Sequence, residues 1–335
     1  MNSATAELPK KLHWTQALTL TVWVGGLGYF VDMFDITIFG VVRTTSLKAL
    51  GLTDPKELLD AGLLIYNWGM IGMMLGGILW GILGDKRGRL SVLFGSSLRD
   101  SVGNIANAFV TDVNSYAVCR FITGIGLAGE LGAAITLVAE SLPKELRGIG
   151  TTIVATLGLT GAVAAAYVGQ ILSWQTSYIL GGVMGLALLA TRFRLRESSM
   201  FAEQATDGKG KGDLRILLTG SRLPRYLFCI GLGIPIYFIT GVLFTFSPEI
   251  AAGLGITGVA AGNALLTGSI GLAMGDLLSG TLSQVFKSRR LAVLISLIVA
   301  AGAASVYLLV PGLTATSIYV LCFILGLAAG YWAVL

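Results

Sequence analysis

The sequence predicts an all-α membrane protein, a bundle of helices that each cross a bilayer. Three observations predict it. Hydrophobic residues make up 54% of the chain and charged residues only 12%, about half the charged share of an ordinary soluble domain, and mean hydropathy is +0.80. Runs of roughly 20 apolar residues recur from end to end, each long enough to cross about 30 Å of hydrocarbon as a helix, whereas the ten-residue alternation of a β-barrel is not seen. Glycine is abundant, at 46 residues, which suits close helix–helix approach in lipid.

Ten spans are expected, at about 17–42, 61–83, 90–110, 116–139, 148–172, 175–193, 226–249, 257–282, 291–310 and 315–335. The first follows Lys10 and Lys11 and is too long for a cleavable leader. With the N-terminus in the cytoplasm, all 23 Lys and Arg except Arg43, Lys48, Lys56, Arg99 and Arg120 fall on the cytoplasmic side. That asymmetry fits the positive-inside rule and predicts a multi-pass protein of the cell (inner) membrane. It also accounts for the net charge of +5 without nucleic acid. A polar, turn-rich stretch at 194–225, including Asp207-Gly208-Lys209-Gly210-Lys211, reads as a cytoplasmic linker. It divides an N-terminal six-helix half, 1–193, from a second group of four helices, 226–335. The halves repeat: Gly84-Asp85-Lys86-Arg87-Gly88-Arg89 leaves the second span, and Lys287-Ser288-Arg289-Arg290 leaves the eighth, about 200 residues on.

Gly81-x-x-x-Asp85-Lys86-x-Gly88-Arg89 resembles the signature between spans two and three of the major facilitator superfamily. Arg120-Phe121-x-Thr123-Gly124-x-Gly126-x-x-Gly129-Glu130, running on to Ala139-Glu140-Ser141-Leu142-Pro143-x-Glu145-Leu146-Arg147-Gly148, is similar to that family's fourth span. Arg196-Glu197-Ser198 is a weakened form of the sequence that closes span six in sugar porters. Together these resemble the sugar-porter and metabolite:proton symporter branches. The resemblance covers the whole chain and implies a bundle of two six-helix repeats related by an axis along the membrane normal. Such proteins have twelve spans, so the resemblance implies a C-terminally truncated sequence with about ten of them present.

A charge at mid-membrane costs about 3 kcal/mol or more on insertion scales, so each one asks for a reason. Asp32 and Asp35 in span one lie three residues apart, on one helix face. Counted from the outer end near Arg43, Asp35 is about 12 Å deep and Asp32 about 16 Å. Arg120 enters from the outer end of span four and can reach inward along its stem. The expectation is that one aspartate takes and releases a proton while Arg120 pairs with it or with an anionic substrate; a static ion pair between spans one and four is the structural alternative. Glu130 either lines the cavity lower down or bonds a neighbouring helix. Gln170, Tyr237, Asn263, Tyr331 and Trp332 are candidate solute contacts, with helix packing and interface anchoring as the competing reading of the aromatic ones. His13, the single histidine, precedes the first span, so intramembrane proton chemistry falls to carboxylates.

Gly81, Asp85, Gly88 and Arg89 read as a tight cytoplasmic turn, with Asp85 placed to stabilise the start of span three. The resemblance implies a cytoplasmic gate there, extended by Glu140, Arg147 and Glu197. Gly124-x-Gly126-x-x-Gly129 matches a dinucleotide fingerprint but lies inside an apolar span with no strand before it, so it reads as helix packing. Arg99-Asp100 in span three carries no assigned role. Cys119, Cys229 and Cys322 sit in apolar runs and read as small buried side chains. No nucleotide-binding loop, metal cluster or nucleophile constellation stands out, so neither an enzyme nor a cofactor is expected. The functional expectation is a monomeric secondary transporter moving a small solute, by alternating access and coupled to protons. Arg120 favours an organic anion, and the Arg196-Glu197-Ser198 echo favours a sugar. A proton-independent facilitator and a non-transporting membrane sensor or assembly protein are the alternatives.

Overall fold

The computed structural model describes residues 15, 18–192, 220 and 222–334. Arg196-Glu197-Ser198, with the gate candidate Glu197, and most of the expected linker lie outside them. The described residues form helices and no strand. They are α1 (Leu20–Ala49), α2 (Pro55–Arg87), α3 (Arg89–Asn107), α4 (Val113–Leu127), α5 (Glu130–Ser141), α6 (Lys144–Ile171), α7 (Trp174–Arg192), α8 (Arg222–Tyr237), α9 (Ser247–Gly253), α10 (Ala261–Val285), α11 (Arg289–Leu309) and α12 (Ala315–Ala329). A π-helical turn, Phe238–Phe244, follows α8, and a 3₁₀ turn, Gly330–Val334, follows α12.

Helix starts follow local chemistry. Thr19, Asp54, Asp112, Ser288 and Thr314 each accept a backbone N–H of the first turn they precede, satisfying donors that a helix leaves orphaned. At α4 the Ser115 and Asn114 N–H groups hold the Asp112 carboxyl below the usual carboxylate range. Gly88, at φ 93°, joins α2 to α3 in a conformation that a side chain resists. Because α2 runs to Arg87, Asp85 lies in its last turn and not at the start of α3; it reaches α3 through Arg89 instead.

Eight stretches among the described residues are long and apolar enough to cross a membrane. Two expected spans are absent from that set. The third is α3, which buries Ser96, Ser97, Asp100, Ser101 and Asn104, so its polar side faces the bundle and lowers its hydropathy. The sixth is α7, whose first turn is Trp174-Gln175-Thr176-Ser177. The fourth span breaks at Ala128-Gly129 into α4 and α5. The seventh is interrupted as well: Pro235 removes a helical donor, and the π turn follows it directly. No residue of α8 is buried, so Cys229 is exposed, contrary to expectation.

α1 packs along α6, α7 and α5, α2 along α4, and α10 along α12 and α6. Two of these contacts are alike. In the first, a Cβ at Gly76 would lie 2.5 Å from the Ile125 carbonyl oxygen, and one at Gly72 would strike the Phe121 backbone. In the second, Gly271 and Gly275 meet the Phe323 and Leu327 backbones in the same way. The same backbone-to-backbone contact thus recurs about 200 residues on, made by small residues, as close packing in lipid requires.

Candidate functional site

A cavity of about 1030 Å³, including the space through which it opens to solvent, lies between the two groups of helices. On α1 it is lined by Tyr29, Met33, Ile36 and Thr37, a stripe at helical spacing. Tyr66 of α2, Tyr237 at the end of α8, Phe244 of the π turn, Asp276 of α10 and Trp332 of the 3₁₀ turn add polar and aromatic lining, with Thr240, Thr245 and Ser269 between them. Of the expected solute contacts, Tyr237 and Trp332 line the cavity and Gln170 and Asn263 do not. Gln170 turns back to the Ala166 carbonyl, at 2.7 Å. Tyr331 is fully buried, and its hydroxyl donates to the Leu232 carbonyl at 2.6 Å, tying the 3₁₀ turn to α8.

Asp32 and Asp35 are buried but line no part of this cavity; the stripe at 29, 33, 36 and 37 does. Arg120 does not pair with the Asp35 carboxylate. Its guanidinium donates to the Asp35 backbone carbonyl at 3.4 Å and lies 5.2 Å from the centre of the Phe39 ring. It lines a small pocket that shares Ile36, Tyr66 and Met70 with the main cavity.

No N–H or hydroxyl reaches either oxygen of Asp35. The buried Asp100 of α3 is its acidic neighbour, and the Asp100 Oδ1 accepts from Asn104 at 3.2 Å. Gly181 makes room for Asp35, since a Cβ there would collide with an Asp35 oxygen. Asp100 is therefore the buried member of Arg99-Asp100, while Arg99 is exposed and its guanidinium lies 5.4 Å from the Trp80 ring.

Glu130 does not line this cavity either. It forms an ion pair of 2.6 Å with Arg192 of α7, bridged by Ser97 of α3, and Arg192 also donates to the Leu93 carbonyl at 2.6 Å. Gly28 of α1 leaves the space this pair occupies. Arg192, counted among the charges of the cytoplasmic side, is 1% exposed. Arg43, expected as an outer-loop charge, is equally buried: it pairs with Glu249 of α9 at 2.6 Å, donates to the Thr245 carbonyl at 3.4 Å and lies over Phe246. It joins the first group of helices to the second. Asp276 was missed as well, although the rule that singled out Asp32 and Asp35, an acid inside an apolar span, applies to it equally.

At the α2–α3 turn, Arg89 pairs with Asp85 at 3.1 Å and approaches Glu140 at 3.9 Å. Arg147 donates to the Leu142 carbonyl at 3.0 Å. A Cβ on Gly81 would meet no described atom. Of the fingerprint-like glycines, Gly124 abuts the Gly69 backbone, Gly126 the Asp100 backbone and Gly129 the Trp80 ring, all helix contacts.

A family model described as Major Facilitator Superfamily matches residues 25–335. The niacin transporter NiaP of Acinetobacter baylyi is 32% identical over 192 residues, covering 56% of this chain and 42% of the relative. The sialic acid transporter NanX of Escherichia coli is 29% identical over 181 residues, covering 53% and 44%. The 3-(3-hydroxy-phenyl)propionate transporter of Escherichia coli is 29% identical over 189 residues, covering 55% and 46%. The matched stretch thus spans about half the length of each curated relative. Among solved structures, the xylose transporter XylE of E. coli, in a partially occluded inward-open conformation, superposes with a TM-score of 0.69 at 16% identity, over 96% of this chain and 86% of that one.

Proposed function

The chain belongs to the Major Facilitator Superfamily, and from that premise we propose that it is a proton-coupled symporter of a small organic acid, working by alternating access. It is a multi-pass membrane protein, and the reading adds an N-terminus in the cytoplasm of a bacterial inner membrane and two helical halves, 1–193 and 226–335, that rock about the cavity. The observation that carries the reading is the cavity itself, walled on one side by α1, α2 and α6 and on the other by α8, the π turn and α10. A site shared by both groups is what rocking would open to each side in turn. The repeated glycine contacts, Gly72 and Gly76 in one group and Gly271 and Gly275 in the other, support the division.

Proton coupling rests on Asp35 and Asp100. Two neighbouring buried acids, one on α1 and one on α3, are a place where gaining or losing a proton changes the charge buried between helices. Asp32, whose two oxygens have no partner, lies beside them. Arg120 sits next to both the pair and the cavity, where it can sense the charge of either. The organic-acid assignment draws on the relatives named above, each a transporter of a carboxylic acid, and on Arg120. Arg89, Asp85, Glu140 and Arg147 would form the cytoplasmic gate, and Arg43–Glu249 the contact that holds the groups together at the opposite end.

The test is uptake of radiolabelled benzoate into proteoliposomes under an inward proton gradient. Asp35→Asn and Asp100→Asn are each expected to lower gradient-driven accumulation at least about tenfold while leaving benzoate exchange across the membrane without a gradient; tenfold corresponds to about 1.4 kcal/mol. Unchanged accumulation in Asp32→Asn, Asp35→Asn and Asp100→Asn would remove the coupling assignment.

A further inference from the structure

We propose that Asp276 is the solute-binding acid of the cavity, and that it holds an organic acid through a shared proton, so that solute and proton bind together. The proposal rests on the transport reading of the cavity and deepens it.

Asp276 lies on α10, is 8% exposed and lines the cavity. Its Oδ1 has no hydrogen-bond partner, which is rare for a buried polar atom and marks a place for a ligand atom or a proton. The groups that face it are uncharged: Tyr29 from α1, Tyr66 from α2, Tyr237 from α8 and Trp332 from the 3₁₀ turn, while α6 offers Leu159 and Ala162. Asp32, three residues on from Tyr29, is not part of the cavity lining. Among the described residues, no Lys, Arg or His lines the cavity.

This combination limits what binds. The aromatic walls suit a planar or apolar body. A solute carboxylate that met an ionised Asp276 would bring two negative charges into contact, with Arg120 only in the adjoining pocket, and like charges so placed repel strongly. One proton taken from solution turns that repulsion into an O–H···O⁻ hydrogen bond, among the stronger kinds. The one bond formed is the O–H of the carboxyl that takes a proton from solution, one proton for each solute bound. The affinity of the site for an acid and its affinity for a proton are then linked, each raising the other.

Three isosteric probes test this on purified full-length chain in detergent, with no gradient and no transport: benzoate, benzamide and benzylammonium, titrated from mildly acidic to mildly alkaline pH. Benzoate affinity is expected to fall about tenfold per pH unit over part of that range, the slope of a single linked proton, and benzoate binding in weak buffer is expected to take up one proton. Benzamide affinity stays within about twofold across the same range, because it needs no proton to approach a carboxyl. Asp276→Asn flattens the benzoate slope and Asp276→Glu keeps it. The Glu variant and the proton-uptake measurement on the unaltered chain decide the matter even if the Asn variant does not fold. The proposal is overturned by a benzoate slope that survives Asp276→Asn, by binding without proton uptake, by benzylammonium binding more tightly than benzoate, or by none of the probes binding. If binding follows the expected pattern while proteoliposomes take up no benzoate, the transport reading falls and the site stands.

Discussion

Removing Arg192 while leaving Glu130 strands a carboxylate that is 2% exposed among α3, α5 and α7. Breaking a buried pair in this way costs about 3–5 kcal/mol, because the surviving charge keeps its desolvation cost and loses its partner. Arg192→Met is therefore expected to lower the thermal midpoint in detergent sharply, and Glu130→Gln/Arg192→Met to recover much of the loss. Equal destabilisation in the single and double variants would mean that the pair contributes through packing alone. Asp35 behaves differently, since its neighbour Asp100 is another acid: Asp35→Asn puts a neutral amide where a buried carboxyl stood. That variant should keep the fold and lose the coupling.

At the scale of helices, the tight contacts are between backbones. Gly76 and Gly77 are neighbours in α2 and look alike in the sequence, yet a Cβ on Gly76 would lie 2.7 Å from the Ile125 Cα, while one on Gly77 meets nothing within 4 Å. Gly76→Ala is expected to cost about 1–3 kcal/mol, the usual penalty of overpacking. Gly77→Ala should be neutral or stabilising by up to about 1 kcal/mol, from helix propensity. Denaturation of both variants in parallel checks the contrast, and similar stabilities would argue against the α2–α4 interface described above. Much of this level was legible beforehand: the apolar runs gave the helices, and the abundance of glycine foretold their close approach. The break at Ala128-Gly129 and the π turn after Pro235 were not legible, because a 20-residue hydrophobic run looks the same whether its hydrogen bonds are continuous or not. The inward polar face of α3 was hidden for a related reason. Asp100 sits beside Arg99, and adjacent residues splay about 100° apart on a helix; only the packing reveals which of the two is buried.

Across the whole molecule, charge counting along the chain does not find the buried pairs. Arg43 was read as a loop residue because it follows an apolar run, but its partner Glu249 is 206 positions away, a separation that no local pattern reports. Arg192 pairs with Glu130, 62 positions away, and Asp276 becomes a cavity residue only once α10 is set against α1 and α8. Weakening the Arg43–Glu249 contact should shift the balance between conformations. A hydrogen bond to a charged group contributes about 1.5–3 kcal/mol, so Glu249→Gln is expected to raise the population with this end open by about tenfold or more. Spin labels at Lys48 and Leu254, both exposed, would report this as a growing long-distance population, whereas an unchanged distance distribution would deny the contact a gating role. The most direct measurement of the whole account is simultaneous recording of benzoate and proton entry into proteoliposomes. The account predicts that benzoate accumulates against its gradient only while an inward proton gradient persists, that protons enter with it, and that Asp35→Asn abolishes the accumulation. Accumulation that ignores the proton gradient, or benzoate entry without protons, would contradict it.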